Sequence, residues 1–393
     1  MSNLQFPQAF YLWLFLITDL GLLYYKYAFF IISNIPISQI SELANSLNLN
    51  DIVLPLAISF FTFQQISYLV DAYSGGTKEY DFLNYCLFVT FFPQLIAGPI
   101  VHHKEIIPQF HRLRNFVFCH RNFALGLTLF IFGLSKKLLV ADQLSPLVAQ
   151  AFANASALNF TEAWVGALNY TFQLYFDFSG YSDMAVGLGL MFNITLPVNF
   201  NSPYKALSIS DFWRRWHITL SNFLRDYLYI PLGGNRKGRT RQYINLLFTM
   251  LLGGLWHGAG WTFLLWGGLH GTFLVINHWW RGLKVPLPKI ICWFITFSAV
   301  VMTWVIFRAP NMHDAMEMLK AMVGLKGIEM MAGGRRNMLA LVGLTLSVTL
   351  LPNTNQILAW LKPNFWWALS VSLMAIYSLL SLNQVSEFLY FQF

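Results

Sequence analysis

A polar, aromatic stretch decides how this chain folds, because it interrupts an otherwise apolar sequence. It reads Asp211-Phe-Trp-Arg-Arg-Trp-His217-Ile-Thr-Leu-Ser221-Asn-Phe-Leu-Arg225-Asp226-Tyr-Leu-Tyr, continues Ile-Pro231-Leu-Gly-Gly234-Asn-Arg-Lys-Gly-Arg-Thr-Arg241, and leads into an apolar run that ends Gly254-Leu-Trp256-His257-Gly258. Histidines and charges are costly inside a membrane, where they usually mark a functional site. This stretch is therefore the first candidate site.

The composition around the stretch is that of a helical membrane protein. Hydrophobic residues make up 56% of the 393 residues and charged residues 11%, against roughly 45–50% and 25% in ordinary globular chains. Apolar segments of about 20 residues, the length that spans a bilayer as a helix, recur at about 8–33, 52–71, 82–101, 123–140, 161–192, 243–257, 261–280, 288–307, 337–351 and 365–381. We therefore predict an all-α polytopic membrane protein of about ten transmembrane segments, forming one domain over residues 1–393.

The net charge of +8 indicates orientation rather than nucleic-acid binding, because the basic residues lie in short loops between apolar segments. Two basic loops, 102–121 and 236–241, are predicted to face the cytoplasm by the positive-inside rule. A helix that starts near Tyr243 at that face carries His257 roughly 21 Å along its axis, past the middle of a core about 30 Å thick. The polar connection 310–336 contains a segment predicted to form a short amphipathic helix at the interface.

Residues 211–229 are too polar for a lipid-facing span. As one helix they would place Trp213, His217, Ser221 and Arg225 on a single i, i+4 stripe, and Asp211 would pair with Arg215 in the same register. One interpretation is a buried or partly inserted helix whose His217 faces a water-filled cavity. The other is a juxtamembrane helix with an aromatic belt and snorkelling arginines.

His257 lies between Gly254 and Gly258, whose spacing favours close approach of another helix. Histidine suits a general base because it exchanges a proton near neutral pH, although packing around a hydrogen-bonded histidine explains the pattern equally simply. His270, within Trp266-Gly-Gly-Leu-His270-Gly271, is interpreted as structural rather than as part of the same cavity.

Two carboxylates lie inside the apolar stretch Tyr175-Phe-Asp177-Phe-Ser-Gly180-Tyr-Ser-Asp183-Met. We expect Asp177 and Asp183 to form structural ion pairs with arginines of 211–225, since pairing offsets the desolvation of a buried charge. Gly180 is expected to interrupt the helix.

The sequence predicts no metal site. The three cysteines show neither metal-ligand spacing nor a disulfide framework, and they lie singly at Cys86, Cys119 and Cys292. His102 and His103 follow a break at Pro99, and two adjacent histidines on a helix are not expected to face one metal ion.

The motifs closely resemble the membrane-bound O-acyltransferase family. The resemblance is carried by the stretch 211–236, by Gly-Leu-Trp-His257-Gly, and by the segments Phe92-Pro-Gln-Leu-Ile-Ala-Gly-Pro99, Tyr175 to Met184 and Phe388 to Phe393. Within the family the sequence is most similar to the bacterial alginate O-acetylase branch, and it also resembles the D-alanyl transfer protein of teichoic acid synthesis.

The resemblance implies a helical bundle around a central tunnel, with some helices only partly inserted. It maps the family histidine onto His257, as the base toward the acceptor hydroxyl, and a second polar position onto His217, which positions or polarises the acyl donor. The tunnel or supporting residues are expected to be Trp213, Ser221, Arg225, Asp226, Trp256, His270, Asp177 and Asp183. Because members of this branch usually begin with about two further membrane helices, the N-terminus is shorter than is usual for the family.

The implied activity is acetyl transfer at the bacterial inner membrane. The acetyl group would come from a cytoplasmic thioester such as acetyl-CoA and pass across the membrane to hydroxyls of an exported, alginate-like polysaccharide. The expected partners are periplasmic acetyltransferase or polysaccharide-modification proteins. No bound cofactor is expected, because this transfer needs a base and oxyanion donors rather than a metal. Two alternatives stay open: acylation of peptidoglycan, teichoic acid or lipid, and a non-enzymatic role in polysaccharide export.

Overall fold

The computed structural model describes residues 20–35, 55, 57–75, 82–96, 98–328, 335–382 and 389, and these residues contain helices and no strand. In the first half, a π-helical turn over Leu23–Tyr27 leads into α1 Ala28–Ser33, followed by α2 Ile58–Tyr73, α3 Phe82–Thr90, α4 His103–Phe110, α5 His120–Ser135, α6 Asp142–Ala153 and α7 Phe160–Met191. In the second half the helices are α8 Ile209–Trp213, α9 Ile218–Leu224, α10 Gly238–His257, α11 Trp261–Leu283, α12 Lys289–Arg308, α13 Met312–Met322, α14 Arg335–Leu350, α15 Thr354–Trp360 and α16 Phe365–Leu380. The all-α prediction is confirmed for the described residues.

The ten predicted spans are not confirmed. Within the described residues, two helical segments are long and apolar enough to cross a membrane, His120–Ala153 and Lys289–Arg308. A third candidate is the pair α14 and α15, which is bent by 57°. α2, α3 and α16 are shorter, with 16, 9 and 16 residues. Residues 8–19 of the first predicted segment, and the C-terminal motif 388–393 except Leu389, lie outside the described residues.

α5 and α7 pack along glycines, which allow their backbones to touch. A Cβ on Gly133 would lie 2.4 Å from the Gly180 carbonyl oxygen, and a Cβ on Gly126 would lie 2.5 Å from that of Gly187. The expected interruption at Gly180 is therefore wrong, because α7 runs unbroken through it. The glycine serves close helix contact instead.

α10 and α11 form a hairpin that glycines also close. A Cβ on Gly254 would lie 2.3 Å from the Phe263 carbonyl oxygen, and one on Gly267 would lie 2.3 Å from that of Met250. The close helix approach predicted at Gly254 is confirmed. The hairpin places the end of α10 against α11 and so fixes the position of His257.

The single helix expected over residues 211–229 is wrong. α8 ends at Trp213, and His217 adopts a left-handed backbone (φ 44°, ψ 54°) before α9 begins. Backbone hydrogen bonds to the segment before α8 replace the missing helical ones: Asn201 N–H donates to the Arg215 carbonyl at 2.9 Å, and Ile218 N–H donates to the Asn199 carbonyl at 2.9 Å. The predicted Asp211–Arg215 ion pair is confirmed at 2.9 Å.

The connection after α12 forms the predicted amphipathic helix, α13. Its apolar face is buried through Ala315, Met318 and Met322. On the other face Glu317 binds Lys320 at 2.7 Å and Lys326 at 2.6 Å.

Candidate functional site

His257 is the last residue of α10, which begins in the basic turn at Gly238. Nineteen residues of helix correspond to an axial rise of roughly 28 Å, so the histidine lies at the opposite end of α10 from the basic turn. Its imidazole is buried among aromatic rings and makes edge contacts with Trp256 (4.7 Å between centroids), Trp266 (5.2 Å) and Phe307 (5.3 Å).

His217 is buried at the start of α9, with 1% of its surface exposed. The left-handed backbone turns its imidazole against Phe178, at 4.8 Å between centroids. His217 Nδ1 lies 3.1 Å from Asn199 Oδ1. Because the ring is held by a side chain from another segment, its position does not depend on α9 alone.

The Asn199 contacts define the tautomer of His217. The Thr219 backbone N–H and hydroxyl both donate to Asn199 Oδ1, at 3.3 Å and 2.9 Å, which identifies this atom as the amide oxygen. An amide oxygen only accepts hydrogen bonds, so in the neutral ring His217 Nδ1 carries the proton and Nε2 the lone pair. Asn199 therefore orients the ring and leaves Nε2 as its acceptor.

Trp256 joins the two predicted catalytic histidines. Its ring centroid lies 6.4 Å from that of His217 and 4.7 Å from that of His257. Trp266 extends this cluster to His270: its ring centroid lies 5.2 Å from that of His257 and 4.8 Å from that of His270. The structure thus brings His217, Trp256 and His257 into one buried site.

His270 supports this site structurally. Trp213 Nε1–H donates to His270 Nδ1 at 3.2 Å, so the proton of the neutral ring is on Nε2. Nε2 lies 3.0 Å from Thr303 Oγ1, whose own hydroxyl donates to the Val300 carbonyl at 2.8 Å. Both ring nitrogens are used in linking α8, α11 and α12, as the structural interpretation expects.

The expected partners of Asp177 and Asp183 are wrong. Lys137 binds Asp177 at 2.8 Å and Lys136 binds Asp183 at 2.6 Å. Both lysines lie in the π-helical turn that follows α5. Because the glycine contacts bring α5 directly onto α7, these lysines reach the carboxylates and the arginines of 211–225 do not pair with them. Each carboxylate is therefore paired, with a lysine in place of the expected arginine.

Ser221, Arg225 and Asp226 lie beyond His217 along α9 and the π-helical turn after it. The Ser221 N–H donates to the His217 carbonyl at 3.0 Å, closing the first turn of α9. Arg225 and Asp226 pair with each other through two bonds of 2.7 Å and 2.8 Å. Arg225, Asp226 and Thr219 line a polar pocket of about 180 Å³. Arg225 and Asp226 therefore border this pocket rather than the two histidines.

A second histidine cluster was missed because the geometric argument about His102 and His103 is wrong. His102 precedes α4 and caps it, so both rings reach Asp71 Oδ2, each at 3.0 Å. His102 Nδ1 accepts a hydrogen bond from the Lys104 backbone N–H, and Lys104 Nζ lies 2.8 Å from the same carboxylate oxygen. Burial lowers the pKa of His103 to about 4, so its ring is neutral at pH 7. The separations would suit a metal ion, but His102 and Lys104 act as hydrogen-bond donors to Asp71 in this arrangement.

Two residues of the main site were also missed. Asn199 has no motif of its own, since its role depends on a contact across 18 residues. Lys26 does carry a signal, because it is an isolated lysine in an apolar segment, and such residues are functional candidates by default.

Comparisons with known proteins show the family to which this chain belongs. The model of the MBOAT, membrane-bound O-acyltransferase family matches residues 73–313. The chain is 49% identical over 351 residues to the peptidoglycan O-acetyltransferase of Helicobacter pylori, covering 81% of this chain and 66% of that protein. It is 47% identical over 323 residues to the probable alginate O-acetylase of Pseudomonas aeruginosa, covering 79% of this chain and 60% of that protein.

A more distant relative is the teichoic acid D-alanyltransferase of Streptococcus thermophilus, which is 30% identical over 64% of this chain and 68% of its own length. The chain thus spans about three fifths to two thirds of the length of these relatives. The family match covers both His217 and His257. The chain belongs to the membrane-bound O-acyltransferase family.

Proposed function

We propose that this chain transfers acetyl groups from a cytoplasmic thioester, such as acetyl-CoA, across the inner membrane to hydroxyls of an exported polysaccharide. One observation carries the proposal: two buried histidines flank Trp256 at the end of α10, in a member of an acyltransferase family. In this role His257 is the base toward the acceptor hydroxyl. His217 positions the acyl donor through Nε2, which is the acceptor nitrogen of the neutral ring when Nδ1 donates to Asn199.

With these two side chains, every bond and proton of the acetyl transfer can be accounted for. The acceptor oxygen bonds to the thioester carbon, its proton passes to His257, and the carbonyl electron pair moves onto oxygen. When this oxyanion collapses, the carbon–sulfur bond breaks and the thiolate takes the proton from His257. The products are an ester and a thiol, and the imidazole is regenerated.

The polar pocket beside Arg225 and Asp226 supports donor entry from the basic side. It is lined by Thr219, whose hydroxyl binds the same Asn199 oxygen as His217. The basic turn before α10 lies at the opposite end of that helix from His257. A donor that enters near the basic turn would therefore pass α9 on its way to the histidines. The acceptor would reach His257 from the opposite side of the membrane.

Peptidoglycan is a second candidate acceptor. The relative named peptidoglycan O-acetyltransferase is 49% identical to this chain, and the probable alginate O-acetylase is 47% identical. Both acceptors present sugar hydroxyls, so the same histidine pair would serve either. Periplasmic acetyltransferase or polysaccharide-modification proteins remain the proposed partners.

The decisive experiment compares His257→Ala with the native chain in a strain that lacks this gene. We expect ester-linked acetyl on the glycan to be restored by the native chain and not by His257→Ala, because the base is removed. Exported polysaccharide and peptidoglycan are to be analysed separately, which identifies the acceptor. The control is His313→Ala, an exposed histidine on α13. Equal acetyl content with the native chain and His257→Ala would remove the catalytic assignment and leave a role in export.

A further inference from the structure

The π-helical turn Leu23–Tyr27 contacts the end of α10 directly before His257. Lys26 Nζ donates to the Trp256 carbonyl at 2.5 Å, and the Tyr27 hydroxyl donates to the Leu255 carbonyl at 3.1 Å. The last carbonyls of a helix have no partner within it, and α10 ends here because Gly258 is extended. Two neighbouring side chains of one turn therefore bind the helix end that carries His257.

Lys26 differs from Tyr27 in bringing a charge. Its second bond is to Ser59 Oγ at 3.1 Å, so both bonded partners are neutral. Among the residues that the structure describes, none of the ion pairs includes Lys26. Tyr27 satisfies the neighbouring carbonyl without any charge, so binding the helix end does not by itself explain an ammonium group. An unbalanced buried charge is expensive and points to a use in function.

The positive charge of Lys26 lies beside the proposed site, where acyl transfer develops negative charge on the carbonyl oxygen of the thioester. Lys26 Nζ is 5.8 Å from the centroid of the Trp256 ring, which joins the two histidines. A lysine ammonium has three N–H donors, and two of them are bound to Ser59 and Trp256. Among the described residues no acceptor is bound to the third N–H, which in the proposed role would donate to an oxygen of the substrate.

We propose that Lys26 is a further residue of the acyl-transfer site, where it holds the end of α10 and stabilises the oxygen of the attacked thioester. The inference rests on the proposed function. In the step described above, the carbonyl electron pair moves onto an oxygen beside the ammonium as His257 takes the proton. Donors positioned for such an oxyanion are often the largest single contribution to catalysis.

The test measures acetyl-CoA turnover by the purified full chain in lipid nanodiscs with a soluble oligosaccharide as the acceptor, and free thiol is the product that is followed. Lys26→Met should lower kcat about 100-fold, the scale expected for loss of one oxyanion donor, while KM for acetyl-CoA changes little. Lys26→Gln keeps a donor for the Trp256 carbonyl but lacks the charge, and it should show nearly the same loss. Lys26→Arg, which keeps the charge, should retain more activity than either. Tyr27→Phe, the matched loss of a neutral cap, should reduce kcat only a few-fold.

These variants separate charge from packing. Full activity in folded Lys26→Gln would overturn the inference, and so would an equal loss in Tyr27→Phe or a loss in Lys26→Arg as large as in Lys26→Met. Elution from size exclusion and thermal unfolding identify variants that do not fold, and Lys26→Gln is the reserve if Lys26→Met is among them. A native chain that does not turn over acetyl-CoA would instead contradict the proposed function and, with it, the role of Lys26.

Discussion

His217 is held in place by one amide side chain from outside its own helix. Asn199 Oδ1 accepts from the imidazole, the backbone and the hydroxyl of the His217–Thr219 turn, at 3.1, 3.3 and 2.9 Å. Three donors on one oxygen define both the direction of the ring and its tautomer. Asn199 is thus a positioning residue for the candidate site.

Asn199→Ala should lower acetyl transfer about 10- to 100-fold, by analogy with the loss when the partner that orients a metal-binding histidine is removed. The loss is expected because the His217 ring is freed to rotate and to exchange its tautomer. Ester-linked acetyl, measured at equal protein level, is the readout.

Asn201→Ala is the matched control for this change. Asn201 lies in the same segment, is exposed, and accepts a hydrogen bond from Asn353 at 2.8 Å, away from the histidines. It should behave almost as the native chain. Equal losses in the two variants would show that the segment matters only for folding.

The two histidines of the candidate site were predicted from the sequence, while the contacts that position them were not. His217 and His257 were found from their motifs and from the resemblance that those motifs carry. Asn199 and the partners of Asp177 depend on which segments meet in space. No local pattern encodes that information, because the contacts cross 18 and 40 residues.

At the scale of helices, close glycine contacts set which elements are neighbours. α5 reaches α7 through Gly133 and Gly180, and α10 reaches α11 through Gly254 and Gly267. In a membrane, where lipid offers no hydrophobic driving force between helices, such contacts are a main source of association. They bring Lys136 and Lys137 to the carboxylates of α7.

Gly133→Ala should destabilise the protein by about 1–3 kcal/mol, the usual range for overpacking. The added Cβ would lie 2.4 Å from the Gly180 carbonyl oxygen, so α5 and α7 must separate. Thermal unfolding in detergent measures the change. Gly343→Ala, on α14, has no atom within 4 Å of the added Cβ. It should be neutral or stabilising by up to about 1 kcal/mol, and a similar loss in both variants would contradict the packing argument.

The charge network on α13 should make stability depend on pH. Hydrogen bonds and ion pairs from Lys320 and Lys326 lower the pKa of Glu317 from 4.5 to about 2. A lowered carboxyl pKa contributes stability that is present above pH 4.5 and is lost as the pH falls toward 2.

Glu317→Gln should therefore lower the melting temperature at pH 7, and this difference from the native chain should shrink at pH 3 and vanish near pH 2. Added salt should reduce the effect at pH 7, because the lysines are partly exposed. A difference that stays constant with pH would mean that the carboxylate charge is not the cause.

The helix break at 214–217 shows a limit of local sequence patterns. This segment contains neither glycine nor proline, so a continuous helix was the natural expectation. The break is instead made by two backbone bonds to residues 199 and 201. Helix starts and ends with capping residues, as at Asn311 before α13, follow local rules far better.

At the scale of the whole molecule, the described residues form more helices than there are segments whose length and composition would allow them to cross a bilayer. Two segments and one bent pair qualify among the described residues, while α10 and α11, with 20 and 23 residues, combine sufficient length with polar positions. Hydropathy located apolar segments along the chain, but it could not separate membrane spans from helices that are buried in protein. The central tunnel stays a prediction.

The orientation of α10 across the membrane can be measured by labelling at its two ends. In a variant with Cys86, Cys119 and Cys292 replaced by serine, an impermeant maleimide should label Trp261→Cys in spheroplasts and Lys237→Cys only after permeabilisation. The two positions flank α10, whose axis of roughly 28 Å matches the thickness of a bilayer core. The reversed labelling pattern would place the basic turn in the periplasm and contradict donor entry from the cytoplasm.

At position 217 the left-handed backbone favours other residues than histidine, whereas the proposed chemistry requires histidine. A side chain other than glycine pays roughly 1–2 kcal/mol for that conformation, and this position has φ 44°. In a library of all substitutions at 217, glycine and asparagine should therefore rank high for abundance, whereas acetylation should select histidine alone. A position where the two rankings oppose each other is one that natural selection retains for its chemistry and not for the fold.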